Sequence, residues 1–539
     1  MRSRAVLVSL VLSSALVSGG WLMQMGFDSR TPHVYERARL FDQVLEHVAR
    51  NYVERLPEGE LYGRAARGVV RELHDPHSVY LSSERYARLA ESTTGRYQGI
   101  GVELDVRDGW VTVVAPLPGT PAEQAGVQAG DRIISIGGKV TTGWAPEEAL
   151  RALRGAPGTV INFVVERAGV DEPVPFTVTR REIQFHAVQN ALMLGNGIGY
   201  VDLVIFSNDA ATELRHAIDS LQRAGARSII IDLRGNPGGL LEQGVAVSDL
   251  FLDRGLKIVE MRGRTRDANQ VFVDQAPQPY PSLPVAILVD STSASASEIF
   301  AGALQDQDRA VVVGTTTYGK GSAQSVFPLG DGGALKLTTA LWYTPSGRSI
   351  TRPRYVSDEE DDGEEPSSFV ADTSRERARF STRGGRVVYG GGGVTPDVVT
   401  PVDTPTANEA ALERALGKRI PEFRQVVTAY ARSLRGRRGV TAPDFVVTAA
   451  MREELYGAMR QRGIDVDRAT YDAAAPVVSR FLGYEIARVL FGRRAEFHRR
   501  LADDAGVALA VSMVAGAASQ SEVFRRAAAR QREQARRAR

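Results

Sequence analysis

Four serines alternate with small residues in Ser291-Thr-Ser293-Ala-Ser295-Ala-Ser297-Glu298. The run follows an apolar stretch that ends at Asp290 and opens the helical pattern Ile-Phe-Ala-Gly-Ala-Leu. A serine at the start of a helix sits among N–H groups without intrahelical acceptors, at the positive end of the helix dipole. Both features favour negative charge on a nearby oxygen, which acyl transfer through a serine requires. The spacing Ser295-x-x-Glu298 also makes a capping box, in which the serine caps the helix and the glutamate reaches back. Downstream, Thr317-Tyr-Gly319-Lys320-Gly321 sets a lysine between two glycines after an apolar strand. A lysine acts as a base only when neutral. Bringing its pKa from about 10.4 to near 7–8 takes about 4 kcal/mol of differential stabilisation, which burial can supply. A surface turn lysine is the alternative for that segment read by itself.

These residues need strands and helices to bring them together. Ile198 to Val204, Ser228 to Leu233, Val285 to Val289 and Ala310 to Val313 read as apolar strands. Ala210 to Arg223, Gly244 to Phe251 and Glu298 to Leu304 read as helices. The alternation predicts an α/β arrangement with crossover connections. Residues 93–170 have another character. Trp110 to Val114 and Val160 to Glu166 read as strands, and short helices start at Pro121 and Glu147, which fits a small barrel of strands capped by two helices. In Gly99-Ile100-Gly101-Val102 the glycines permit a loop whose backbone N–H groups converge on a carboxylate, beside a strand edge open to an extended peptide. An ordinary glycine turn is the alternative. Together with the run Gly126 to Gly138, the segment resembles a PDZ domain.

The flanks are helical. Leu40, Phe41, Val44, Leu45 and Val48 recur at helical spacing, and Ala65 to Leu73 ends at Asp75-Pro76. His74 and His77 beside that proline fit a turn better than a metal site. Residues 403–539 read as a helical extension, with Leu490-Phe491 and Val507 to Val514 as core faces and a frayed basic helix from Phe524 to Arg539. Seven acids within Asp358–Glu365 predict a solvated loop. Residues 5–27 carry no charge and follow Arg2 and Arg4. As a helix they span about 34 Å, enough to cross a bilayer with the chain beyond them exported. Ser18-Gly19-Gly20 offers a cleavage site, but the apolar run continues through Trp21, Leu22 and Met23, which favours an uncleaved anchor.

The chain has 539 residues, 43% hydrophobic and 24% charged, which excludes wholesale disorder and suggests several domains. Lys+Arg is 66 against Asp+Glu 64, so nothing points to nucleic acid. The absence of cysteine excludes disulfides, thiolate chemistry and Cys-ligated zinc. The seven histidines form no HExxH motif. None lies between His216 and His498, and no Gly-x-Ser-x-Gly surrounds Ser295, which argues against a Ser-His-Asp hydrolase. The only lysines are Lys139, Lys257, Lys320, Lys336 and Lys418, so few side chains can serve as a titrating amine.

Taken together, the Ser295 and Lys320 segments resemble those of the carboxy-terminal processing proteases, serine endopeptidases that carry a PDZ domain. The resemblance covers about residues 35–400. It implies Ser295 as nucleophile, Lys320 as general base and Gln324 as the residue that orients the lysine, with Glu298 and Thr317 in support. Asp232-Leu-Arg234-Gly-Asn236-Pro237-Gly238-Gly239 matches the family's glycine turn and implies an oxyanion hole built from the N–H groups of Gly238 and Ala296. Gly99, Ile100, Gly101 and Val102 would bind the substrate's C-terminus. No metal or organic cofactor is implied. The expected architecture is a multidomain α+β chain. It comprises an anchor or signal segment (1–30), a helical region (31–92), a PDZ domain (93–170) and an α/β protease core (171–402) with an acidic insertion near 355–386. A helical C-terminal extension (403–539) follows. The expected partners are proteins or peptides with accessible C-termini and, through residues 5–27, the periplasmic side of the inner membrane. A homo-oligomer or an adaptor partner is compatible with the sequence. A non-catalytic PDZ adaptor is the competing function; the presence of Ser295, Lys320 and Gln324 argues against it.

Overall fold

The computed structural model describes residues 32–107, 109–117, 119–167, 170, 172–352, 377–401, 404–435 and 440–537. The expected membrane segment 5–27 and the acidic run 358–365 lie outside them. Among the described residues no helix is long and apolar enough to cross a membrane.

The chain divides into two compact units. Among the described residues, one holds 32–86 together with 325–337, and the other holds the remainder. In the first unit the helices Pro32–Asn51 and Glu58–Arg71 precede a short strand, Val79–Leu81, which pairs antiparallel with residues 334–336. Leu45 is buried, whereas Leu40, Phe41 and Val44 are exposed. His74 and His77 flank a turn in which Asp75 accepts from the His77 N–H and the Ser78 hydroxyl.

The second unit is built on a six-stranded sheet. Its order runs Val188–Gly195, Ile198–Leu203, Ser228–Asp232, Val285–Val289, Val311–Gly314, Val398–Val399. The first pair is antiparallel and the others are parallel. Parallel strands are buried on both faces, so their sequences are apolar throughout, with alternate residues assigned to opposite faces. Ile229, Ile231, Val285, Ile287 and Val312 join the core beneath the helices Ala210–Arg223, Leu241–Asp249 and Ala296–Asp306. Ile230, Ala286, Leu288, Val311 and Val313 face a second core with Leu501, Val507, Met513, Val514 and Val523.

That second core revises the expected organisation. Residues 404–435 and 440–491 form a helical body with its own interior, including Phe423, Leu455 and Leu482. The helices Ala505–Val514 and Gln520–Arg537 instead cover the second face of the six-stranded sheet. The basic tail is a docked helix with Val523 and Ala527 buried, not a frayed one.

The PDZ-like sheet takes the order Val102–Arg107, Trp110–Pro116, Arg132–Ile136, Val160–Glu166, Val174–Thr179. Its last strand lies past the boundary at 170, because it pairs along its length with Val160–Glu166. The strand Val102–Arg107 is an edge, and the helix Pro146–Leu153 packs beside it.

Candidate active site

The helix Ala296–Asp306 starts where the parallel strand Val285–Val289 ends, and Ser295 is its N-cap. Ligands bind open α/β sheets at the C-terminal ends of their strands, and Ser295 stands at one. Its φ of 55° and ψ of −115° lie in a region that costs a non-glycine residue about 1–3 kcal/mol and is occupied mostly at functional sites.

The surroundings distinguish among the serines. Ser293 is fully buried and its hydroxyl donates to the Leu233 carbonyl at 2.8 Å. Ser297 is fully buried and donates to the Asn236 carbonyl at 3.0 Å. Both stitch the helix start to the glycine turn. Ser295, between them, is half-exposed. The small residues at 294 and 296 are buried, as close backbone approach requires.

Glu298 joins this helix to the lysine loop. It has no exposed surface. One carboxylate oxygen accepts from the N–H groups of Ser295 and Lys320, both at 2.9 Å. The other accepts from the Gly319 N–H at 2.7 Å and from the Thr317 hydroxyl. Burial pushes the Glu298 carboxyl above its ordinary pKa, while Thr317 and the three backbone donors pull the other way. The reaching-back half of the capping box is thus present, and the same carboxylate serves three further donors. Ser295 and Lys320 are therefore gathered onto one oxygen. The lysine itself is half-buried. The Gln324 amide donates to Ser322 at 2.9 Å and Thr338 at 3.2 Å.

The glycine turn approaches Ser295 from the neighbouring strand. A Cβ on Gly238 would lie 2.8 Å from both the Ser295 Cβ and the Ala296 nitrogen, and φ there is +97°, so only glycine fits. The Ala296 N–H, first of the helix, has no acceptor among the described residues. The Gly238 N–H differs from expectation, because it donates to the Asn236 side-chain oxygen at 2.8 Å. The next N–H, that of Gly239, has no acceptor among the described residues. Asn236 also donates to the Leu203 carbonyl at 2.6 Å, which fixes the turn. Asn236 is fully buried, which its place in a glycine turn does not disclose.

In the PDZ-like domain the carbonyls of Ile100 and Gly101 accept from Ala122 and Leu117, both at 2.9 Å. The N–H groups of Ile100 and Gly101 have no acceptor among the described residues. The side chains of Ile100 and Val102 are buried in the domain core with Ala149 and Leu153 of the adjoining helix. The loop, whose four residues are buried, thus leaves two backbone donors without a protein acceptor beside the edge strand. Glu103 on that edge accepts from Arg493 at 2.6 Å.

Comparison with known proteins follows the same division. Residues 197–360 match the family model described as peptidase family S41, and residues 112–167 match a PDZ domain. A carboxy-terminal-processing protease of Bartonella bacilliformis is 39% identical over 322 residues, which cover 59% of this chain and 73% of the relative. The carboxy-terminal processing protease CtpA of Bacillus subtilis is 34% identical over 309 residues, 57% of this chain and 66% of the relative. A solved photosystem II D1 C-terminal processing protease is 24% identical, with a TM-score of 0.37, over 70% of this chain and 96% of that one.

Proposed function

This chain belongs to the family of carboxy-terminal processing proteases, S41 peptidases with a PDZ domain, and from that premise we propose that it is a serine endopeptidase with Ser295 as nucleophile and Lys320 as general base. The observation that carries the reading is the shared carboxylate of Glu298, which bonds the backbones of Ser295 and Lys320. Neutral Lys320 takes the Ser295 proton as the hydroxyl oxygen attacks the peptide carbonyl. The tetrahedral oxyanion lies between the Ala296 N–H and an N–H of the 238–239 turn. Gly238 supplies its own when it leaves the Asn236 oxygen, and Gly239 is the adjacent donor. The protonated lysine then delivers its proton to the leaving amine, and water hydrolyses the acyl-enzyme. Gln324 holds Ser322 and Thr338, and through them supports the strand that follows the lysine.

The substrates are proteins with a free C-terminus, held by the loop Gly99-Ile100-Gly101-Val102 while the tail lies along the edge strand. The uncharged run 5–27 behind Arg2 and Arg4 supports action on the exported side of the cytoplasmic membrane.

The test compares wild type, Ser295→Ala and Lys320→Arg on a protein substrate with a free or an amidated C-terminus. Ser295→Ala should lose all turnover and fold normally. Lys320→Arg keeps the charge but cannot give up a proton near neutral pH, so it should fold and fail to turn over. Amidation should weaken substrate binding without changing the chemical step. Turnover in Ser295→Ala, or near-normal turnover in Lys320→Arg, would remove the Ser–Lys mechanism.

A further inference from the structure

We propose that Asp504, in the C-terminal helical region, is a positioning residue for the reaction, holding the glycine turn against Ser295 through Arg234. The inference rests on the serine peptidase reading above and adds a residue that lies outside the segment matching the family.

Arg234 immediately precedes the turn, and its guanidinium is divided between two carboxylates. Its Nε and Nη2 donate to Asp232 at 3.0 and 2.6 Å. Its Nη1 donates to both oxygens of Asp504, at 3.1 and 2.8 Å. Asp232 ends the strand Ser228–Asp232 and also accepts from the Tyr200 hydroxyl at 2.7 Å. The arginine is therefore clamped between the sheet and the N-terminus of the helix Ala505–Val514. Charge-assisted bonds with a forked guanidinium fix direction as well as distance. Burial works against the charge on Arg234, yet the bonds and charges of Asp232 and Asp504 outweigh it and hold its pKa above the ordinary value.

The turn has no slack at its other end. Gly238 is packed so closely on Ser295 and Ala296 that a methyl group there would clash. Movement of Arg234 is passed along Gly235-Asn236-Pro237 to the N–H groups that face the oxyanion. Displacing such donors by a fraction of an ångström weakens transition-state stabilisation while leaving substrate binding alone.

Asp504 has a second task that can be separated from the first. One of its oxygens also accepts from the Val507 N–H at 2.9 Å and caps the helix. Serine caps a helix equally well but is too short to reach Arg234. Asp504→Ser thus retains the cap and deletes the clamp, and Asp504→Asn retains the cap and one accepting oxygen.

The experiment measures steady-state cleavage and melting temperature for the full chain as wild type, Ser295→Ala, Asp504→Ser and Asp504→Asn. Asp504→Ser should lose about ten- to a hundredfold in kcat. Its KM should stay within about twofold of wild type, and Asp504→Asn should recover part of the loss. Wild-type kcat in folded Asp504→Ser, or a raised KM at unchanged kcat, overturns the proposal. If Asp504→Ser does not fold, Asp504→Asn decides: lower kcat at wild-type melting temperature supports the clamp, and wild-type kcat refutes it. Absence of Ser295-dependent turnover in the wild type refutes the peptidase reading and the clamp with it. Equal Ser295-dependent turnover in wild type and Asp504→Ser refutes the clamp alone.

Discussion

Both oxygens of the Glu298 carboxylate meet only donors, two on each side. This makes the replacement Glu298→Gln harsher than its shape suggests. Whichever way the amide turns, its NH2 faces two donors in a site with no access to water, and each unsatisfied buried group costs about 1–3 kcal/mol. The turn carrying Lys320 should move away from Ser295. We expect Glu298→Gln to lose most of its activity and to melt earlier, whereas a surface change such as Glu147→Gln should do neither. Retention of wild-type turnover by Glu298→Gln would show that the shared oxygen is not what aligns the pair. The sequence discloses half of this residue. Ser295-x-x-Glu298 marks the reach back to the helix start, because that contact is local. The contacts to Thr317, Gly319 and Lys320 are long-range, and no spacing rule reveals them.

At the scale of elements, the strands and helices that carry Ser295 were legible because apolar runs and helical periodicity are local properties. The partner of an apolar face is not local: Val507 to Val514 reads as a core face, but its sequence does not say that the face covers the six-stranded sheet. One signal was available. Ala505–Val514 contains no charged residue, and a helix that is apolar nearly all round is a buried one. It could not have been the outer layer of a solvated domain. The consequence is testable by truncation. A chain ending at residue 492 keeps the interior of 404–491 but strips Leu501, Val507, Ala510, Met513, Val514, Val523 and Ala527 from the protease sheet. At about 1.5–3 kcal/mol for each large buried side chain, the loss rivals the 5–15 kcal/mol by which whole domains are stable. The truncated chain should be insoluble or lack a cooperative unfolding transition. A soluble, cooperatively folding product would show that these helices are an accessory layer.

For the whole molecule, acids and bases nearly cancel at neutral pH, and a buried acid with a displaced pKa then leaves its own mark on how stability depends on pH. Asp274, after the strand Gln270–Val273, is buried, and one of its oxygens accepts from the Ala276 N–H at 2.9 Å. Burial is the main cause that raises its pKa from an ordinary 3.8 to about 7; the Ala276 bond opposes it, and the neighbouring carboxylates of Asp249 and Asp253 add to it. The native chain therefore keeps a proton that the unfolded chain releases above its ordinary pKa. Stability from this group is fully present at acid pH and is lost as pH rises from about 4 through about 7. Other acids titrate too, so the diagnostic quantity is the difference between wild type and Asp274→Asn, which cannot ionise. Melting temperatures of both at pH 5 and pH 8 should show the wild type losing more stability over that interval than the variant. Parallel curves would mean that Asp274 is ionised in the native state throughout. The direction matters for catalysis, because a lysine base works better as pH rises. Under the proposed mechanism activity and the stability contributed by Asp274 respond to pH in opposite directions, so Asp274→Asn should extend the alkaline limit of activity.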